Sequence, residues 1–105
     1  MRGFLFRLVP PRTDFSTTLS DEERAVMADH LGYWSDLVER GHVVAFGPVD
    51  DPGGTYGLGI VVAEDLAAAQ AVADGDPAVR SPYGFTTEIT PMAALVTPEG
   101  RLDPA

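Results

Sequence analysis

The chain contains no cysteine and no lysine in its 105 residues. The missing cysteine excludes disulfides, thiolate nucleophiles and zinc sites with sulfur ligands. The missing lysine excludes a lysine Schiff base and the lysine of a Walker-type phosphate loop. The seven basic residues are therefore all arginines, against sixteen Asp and Glu, and the formal net charge is −9. A chain this acidic lacks a basic surface, so we expect neither nucleic acid nor an anionic membrane as a partner.

Long apolar runs are also missing. The N-terminal stretch "GFLFRLVPP" is interrupted by Arg7 and lacks the apolar core of a signal peptide. No stretch approaches the roughly 20 apolar residues that cross a bilayer. We therefore expect a cytoplasmic protein.

The length indicates a single domain, and six stretches along it alternate between strand and helix patterns. In chain order they are a strand "GFLFRLVPP", a helix "SDEERAVMADHLGYWSDLVERG", two strands "HVVAFGPV" and "YGLGIVVA", a helix "EDLAAAQAVADG" and a strand "FTTEITPMAALV". This β-α-β-β-α-β order predicts an α+β, ferredoxin-like fold with both helices on one face of an antiparallel sheet. The other face needs cover, so we expect a homodimer that stacks two sheets.

Capping residues and helical spacing predict where each helix begins and which face it buries. Ser20 and Glu23 form the pattern of a capping box, and Gly41 follows the last turn. The first helix shows an apolar stripe of Met27, His30, Leu31, Trp34, Leu37 and Val38. Asp65 is a plausible cap for the second helix, whose predicted face is Leu66, Ala69, Val72 and Ala73.

Three segments outside these elements are predicted to be irregular. "RTDFSTTL" is expected to be a polar connection, and "DPAVRSPYG" a loop or a single turn. We place the domain at residues 1–95 and a C-terminal tail, mobile or lying on a partner, at residues 96–105.

Motifs that bind common cofactors or metals are not found. The stretch "FGPVDDPGG" has neither phosphate-loop spacing nor the dinucleotide-binding glycine pattern, and "GLGIVV" lies inside a strand. No group of Asp and His residues has convincing metal-ligand spacing. We expect no cofactor and no metal. Ser81 lacks the context of a nucleophile elbow, which disfavours a Ser-His-Asp hydrolase.

Two residues are candidates for acid-base catalysis. His30 lies on the apolar stripe of the first helix, where it is either a satisfied core side chain or a catalytic group at a cleft. Asp76 precedes Pro77, which ends the second helix and restricts the backbone of Asp76. Asp76 is either a turn former or the carboxylate that orients His30 and fixes its tautomer. The second histidine, His42, follows a helix end and is expected to be solvated.

Aromatic residues near these two candidates either line a pocket or belong to the core. We predict that the substrate contacts Trp34, Phe46, Ser81 and Tyr83.

Several motifs occur together in the order typical of one family. Arg24 and His30 are followed by "WSDLVERGHVVAFGPV", an alanine-rich helix, "GDPAV" and "FTTEITPM". The chain over residues 1–95 resembles the YCII-related (YciI-like) domain family. The resemblance implies a dimeric α+β barrel with a candidate active site in a cleft, built around a His-Asp pair that falls on His30 and Asp76. It also implies relatives that include a dehydrochlorinase, lactone isomerases and cofactor-free monooxygenases.

Three functional hypotheses follow. The first is a small cofactor-independent enzyme in which His30 is the general base or acid and Asp76 orients it, acting on a small cyclic or aromatic oxygenated substrate. The second is a non-catalytic module that binds a small molecule or has a regulatory role. The third is a structural dimer in which His30 and Asp76 merely satisfy each other.

Overall fold

The computed structural model describes residues 1–103, which form six strands and four helices. The strands are β1 (Arg2–Val9), β2 (Val43–Val49), β3 (Tyr56–Ala63), β4 (Thr86–Pro91), β5 (Leu95–Thr97) and β6 (Gly100–Leu102). The helices are α1 (Phe15–Thr18), α2 (Asp21–Glu39), α3 (Leu66–Asp74) and α4 (Pro77–Arg80). The long elements follow the predicted order, and the short α1, α4, β5 and β6 are additions to it.

Four strands form one antiparallel sheet in the order β2-β3-β1-β4. The central strand β1 pairs with β3 on one side and with β4 on the other, so that Phe6 lies opposite Gly59 and Ile89. This is the ferredoxin-like strand order, and the predicted α+β class is confirmed. Within the described residues, none of the helices combines the length and the apolar character needed to cross a membrane.

The core lies between the helices and one face of the sheet. Alternate side chains of β1 point into it and are at most 2% exposed: Phe4, Phe6 and Leu8. From α2, the ring of Trp34 packs on Phe6 with 4.6 Å between ring centroids. From α3, the fully buried Ala69 and Ala73 are small enough for the helix to pack close to the sheet. Each large apolar side chain buried here stabilises the fold by about 1.5–3 kcal/mol.

The ends of α2 and α3 follow the capping residues read from the sequence. Ser20 Oγ accepts a bond from the Glu23 backbone N–H (3.1 Å), and Glu23 Oε1 accepts one from the Ser20 N–H (2.9 Å). The capping box is therefore confirmed. Gly41, with φ +78°, adopts after the last turn a conformation that residues with a Cβ rarely take. Asp65 caps α3 by accepting from the Ala68 N–H at 2.8 Å.

The predicted apolar stripes are too wide. Leu31 and Val38 are 57% and 38% exposed, because each directly follows a residue that faces inward, and a helix turns by about 100° per residue. Leu66, in the first turn of α3, is also exposed. The buried positions of α2 are Glu23, Trp34 and Leu37.

Two predicted segments differ from the structure. The connection "RTDFSTTL" contains α1, whose Phe15 is buried edge-to-face against Phe85 with 5.2 Å between centroids. The last strand of the sheet ends at Pro91, which pairs with Phe4 of β1, instead of continuing to Val96. After that point only the Met92 N–H bonds the Gly3 carbonyl, at 2.9 Å.

The chain then forms a separate hairpin of β5 and β6. Leu95 in this hairpin is buried, and its Cβ lies 2.9 Å from the position that a Cβ on Gly3 would take. The predicted division at residue 95 passes through β5, and the domain boundary itself stays a prediction. The final part of the predicted tail, residues 104–105, lies outside the described residues.

Candidate active site

A cavity of about 330 Å³ opens between α2 and the sheet. Side chains from α1, α2 and three strands surround it, together with Phe85 just before β4. Six of the lining residues are aromatic: Phe6, Phe15, Trp34, Phe46, Tyr56 and Phe85. The volume is at the small end of the range for ligand pockets, about 300–1,000 Å³.

Glycines on β3 make room at the wall of this cavity. Gly57 and Gly59 pair with Leu8 and Phe6 of β1, so they occupy the face of the sheet that meets the helices. A Cβ at Gly59 would lie 3.1 Å from the ring of Trp34, and one at Gly57 would lie 3.2 Å from Leu8 Cβ. Glycine at position 59 therefore lets the indole ring lie directly against the strand.

His30 and Asp76 meet at the edge of the cavity. His30 Nδ1 lies 2.7 Å from Asp76 Oδ2, although 46 residues separate the two in the chain. The His30 side chain is 13% exposed and lines the cavity, whereas Asp76 is fully buried behind it. Asp76 is held in place as the N-cap of α4, where its Oδ1 accepts the Ala78 backbone N–H at 2.8 Å. Pro77 occupies the first turn of α4, where its missing N–H costs no hydrogen bond.

Trp34 provides a second side-chain donor to the same carboxylate. Its Nε1–H donates to Asp76 Oδ2 at 2.8 Å. Trp34 is four residues after His30 on α2, so both side chains leave the same face of the helix. The Trp34 and Ala78 N–H groups thus donate to a carboxylate that no solvent reaches and that His30 Nδ1 contacts, which is the environment a buried ionised carboxylate requires.

This arrangement determines which nitrogen of His30 is available. An ionised carboxylate is only an acceptor, so His30 Nδ1 carries the hydrogen that it donates to Asp76. In the neutral ring Nε2 then keeps its lone pair. Because Nδ1 is bound to Asp76, the remainder of the ring is the part left to face the cavity. An imidazole in this tautomer has the lone pair of Nε2 with which to accept a proton.

Comparison with known protein families covers the residues that form this site. A family model described as the YCII-related domain matches residues 6–93, which include both His30 and Asp76. The chain belongs to this family. A comparison with curated proteins found no match. The matched residues of the YCII-related domain end before the β5–β6 hairpin begins.

The four residues predicted to contact substrate lie in two places of the YCII-related domain. Trp34 and Phe46 line the cavity. Ser81 and Tyr83 lie outside its lining. The Ser81 hydroxyl donates to the Ala78 carbonyl at 2.7 Å, at the end of α4, and Tyr83 packs against the hydrophobic core. Sequence reasoning missed the bond from Trp34 to Asp76, and the spacing of four residues from His30 is the signal that could have suggested it.

An arginine attaches α1 to α2 beside the cavity. Arg12 donates to both carboxylate oxygens of Glu23, at 2.9 and 2.8 Å, and to the Thr18 carbonyl at 2.8 Å. These bonds from Arg12, together with the Ser20 backbone N–H, hold the pKa of Glu23 at about 2. The connection between β1 and α2 supplies Phe15 to the cavity wall. Glu23 of α2 binds this connection near its start, through Arg12, and at its end, through the Ser20 N–H.

Tyr33 lies behind the site. Its hydroxyl donates to the Val72 carbonyl of α3 at 2.6 Å. Burial, and then the negative charge of Asp76, raise the pKa of Tyr33 above its ordinary value, so the phenol is neutral where it supports the site. No group of three or more His, Asp and Glu side chains suited to a metal is found in residues 1–103.

Proposed function

We propose that this YCII-related domain is a small cofactor-independent enzyme that performs acid-base chemistry on a small cyclic or aromatic oxygenated substrate. In this proposal His30 is the catalytic base and acid, and Asp76 is a positioning residue that holds its tautomer. The observation that carries the proposal is the 2.7 Å bond between His30, which lines an apolar cavity, and the fully buried Asp76 behind it.

The proton moves in two steps. His30 Nε2 takes a proton from an O–H or an acidic C–H of the substrate, and the electron pair stays on the substrate. Asp76 stabilises the positive charge that the imidazole gains. The imidazolium then returns the proton to another substrate atom in an isomerisation, or to a leaving group in an elimination. Proton transfer by a positioned side chain typically contributes on the order of 10²–10⁴-fold in rate.

Asparagine at position 30 gives the most direct test. The amide of His30→Asn can still donate to Asp76 but cannot accept a proton from the substrate. The matched control is His42→Asn, because His42 is exposed and lies outside the cavity lining. β-Tetralone, a neutral bicyclic ketone with acidic C–H bonds, serves as a probe in deuterium oxide, and NMR follows the exchange of its protons. A panel of hydroxylated aromatic compounds is assayed for turnover in parallel.

We expect His30→Asn to lower exchange or turnover by at least about 10²-fold and His42→Asn to leave it unchanged. Equal rates in the two variants would contradict the role of His30. Saturable binding of the probes without exchange or turnover on any of them would support the alternative, a non-catalytic binding or regulatory module.

A homodimer and a cytoplasmic location remain proposals. Support for the dimer comes from the sheet face opposite the helices, where the register aligns Leu5 with Ile60 and Arg7 with Leu58, and Leu5, Ile60 and Leu58 are all partly exposed. Stacking two such faces would bury this apolar surface. A folded monomer in light scattering at micromolar concentration would contradict the dimer.

A further inference from the structure

The wall of the cavity beside His30 is almost free of charge. Within residues 1–103, eighteen residues line it, and none of these is arginine, aspartate or glutamate. The ionisable residues among them are His30 and Tyr56, whose ring lies against Arg7, and the other polar ones are Ser16 and Thr55. A ligand in this cavity therefore meets aromatic rings, aliphatic side chains, glycine backbone and a few neutral hydrogen-bonding groups.

Two arginines that stack on aromatic residues of the lining are already paired. Arg12 is bound to both carboxylate oxygens of Glu23. Arg7 lies over the ring of Tyr56, 4.2 Å from its centroid, with Glu88 at 3.8 Å. Neither arginine lines the cavity. With a net charge of −9 on the whole chain, the surrounding field also opposes the approach of an anion.

The charge balance of the site points the same way. A neutral substrate that gives its proton to His30 leaves an anion next to an imidazolium, with the Asp76 carboxylate behind the ring. The total charge of the site is then the same before and after proton transfer. A substrate that enters as an anion while His30 is neutral adds a second negative charge near Asp76, and no arginine among the described residues of the wall compensates it. An unpaired charge in an apolar environment costs several kcal/mol.

We infer that the cavity selects uncharged compounds of one or two rings that carry a weakly acidic hydroxyl or C–H, and that it rejects carboxylates and phosphate esters of the same size. This inference rests on the proposed function, because it takes the cavity to be the substrate site. The aromatic wall and the small volume set the ring size, and His30 supplies the polar contact.

Binding is measured with ligands of one shape and different charge. para-Hydroxyacetophenone and para-hydroxybenzoate differ by a methyl group in place of a carboxylate oxygen, and para-hydroxybenzylamine is the cationic counterpart. Trp34 is the chain's one tryptophan and lines the cavity, so the NMR signal of its indole N–H reports occupancy. We expect the neutral ketone to bind at least about ten-fold more tightly than either charged compound, which corresponds to about 1.4 kcal/mol.

A single added cation makes a second arm. Ser16 is exposed and lines the cavity, so Ser16→Arg places a guanidinium at its wall. Thr17→Arg adds the same charge to the neighbouring exposed residue, which does not line the cavity. We expect Ser16→Arg to strengthen the binding of para-hydroxybenzoate and Thr17→Arg to leave it weak.

The inference is overturned if the carboxylate or the amine binds the unmodified protein as tightly as the ketone, or if the ketone does not bind. Binding is measured without turnover, so the outcomes for selectivity and for catalysis separate. A protein that selects the neutral ketone but exchanges no proton refutes the proposed enzyme and keeps the selectivity. A protein that turns over carboxylates refutes the selectivity and keeps the enzyme.

Discussion

Replacing Asp76 with asparagine forces a conflict among the hydrogen bonds of the site. Asp76 is fully buried and accepts from His30 Nδ1, Trp34 Nε1 and the Ala78 backbone N–H. An asparagine side chain has one carbonyl oxygen and one NH₂ group. If the oxygen faces His30 and Trp34, the NH₂ group points at the Ala78 N–H. If the side chain is flipped, the NH₂ group points at the Trp34 N–H instead.

Either orientation leaves one buried donor without an acceptor and removes a charge from the remaining bonds. An unsatisfied buried donor costs about 1–3 kcal/mol, and a hydrogen bond to a charged group contributes about 1.5–3 kcal/mol. We therefore expect Asp76→Asn to lower the free energy of unfolding by about 3–5 kcal/mol. With a stability of about 5–15 kcal/mol for an ordinary domain, a large part of the variant population stays folded.

Urea unfolding followed by far-UV circular dichroism measures this loss. For a denaturant slope of about 1.5 kcal/mol per molar, the midpoint falls by about 2–3 M. The matched control is Asp74→Asn, because Asp74 is exposed and accepts one bond from the Gln70 amide at 3.0 Å. We expect the control to change stability by less than about 0.5 kcal/mol. Equal stability of Asp76→Asn and Asp74→Asn would refute the description of Asp76 as a charged acceptor of three bonds.

The two orientations of the asparagine also have different chemical consequences. In the flipped orientation the NH₂ group can donate to His30 Nδ1, which moves the ring hydrogen to Nε2 and removes the base from the cavity. In the other orientation His30 keeps its tautomer. NMR couplings of the imidazole nitrogens distinguish the two tautomers, so the loss of proton exchange in Asp76→Asn can be assigned to tautomer or to unfolding.

Two further changes test parts of the fold that support the site. Because the pKa of Glu23 is lowered from 4.5 to about 2, its pairing with Arg12 stabilises the fold above pH 4.5, and this contribution is lost as the pH falls toward 2. In urea titrations the stability difference between the unmodified protein and Arg12→Gln should be constant above pH 4.5 and shrink below it, and a pH-independent difference would contradict the pairing. Gly59→Ala places a Cβ 3.1 Å from the Trp34 ring and should cost about 1–3 kcal/mol, whereas Gly47→Ala meets nothing within 4 Å. Equal urea midpoints for these two variants would refute close packing of the indole on β3.

Local patterns in the sequence predict most of the fold. The alternation of Phe4, Phe6 and Leu8 predicts the central strand, and Ser20 with Glu23 predicts the start of α2, because both depend on residues within one strand or one turn. The short α1 could not be predicted in this way. A four-residue helix has little intrinsic stability, and α1 is held by contacts such as that of Phe15 with Phe85, 70 residues further along the chain.

The candidate site was only partly predictable for the same reason. The residue types and the Asp-Pro pattern singled out His30 and Asp76, and the family resemblance joined them, but no local pattern reports contact across 46 residues. The role of Trp34 could not be derived without knowing where Asp76 lies. Ser81 is close to Asp76 in the sequence, yet its hydroxyl is bonded to the end of α4, away from the cavity.

The glycines of "YGLGIVVA" show how one feature can belong to both the fold and the site. In a strand, glycine is less favourable than alanine by about 0.5–1 kcal/mol, so the pattern alone reads as a weak strand. The register places Gly57 and Gly59 on the face that meets the helices, opposite Leu8 and Phe6. At position 59 a Cβ would lie 3.1 Å from the indole ring that donates to Asp76, so the ring would have to shift. The glycine that weakens this strand therefore also gives Trp34 the room in which it donates to the carboxylate beside His30.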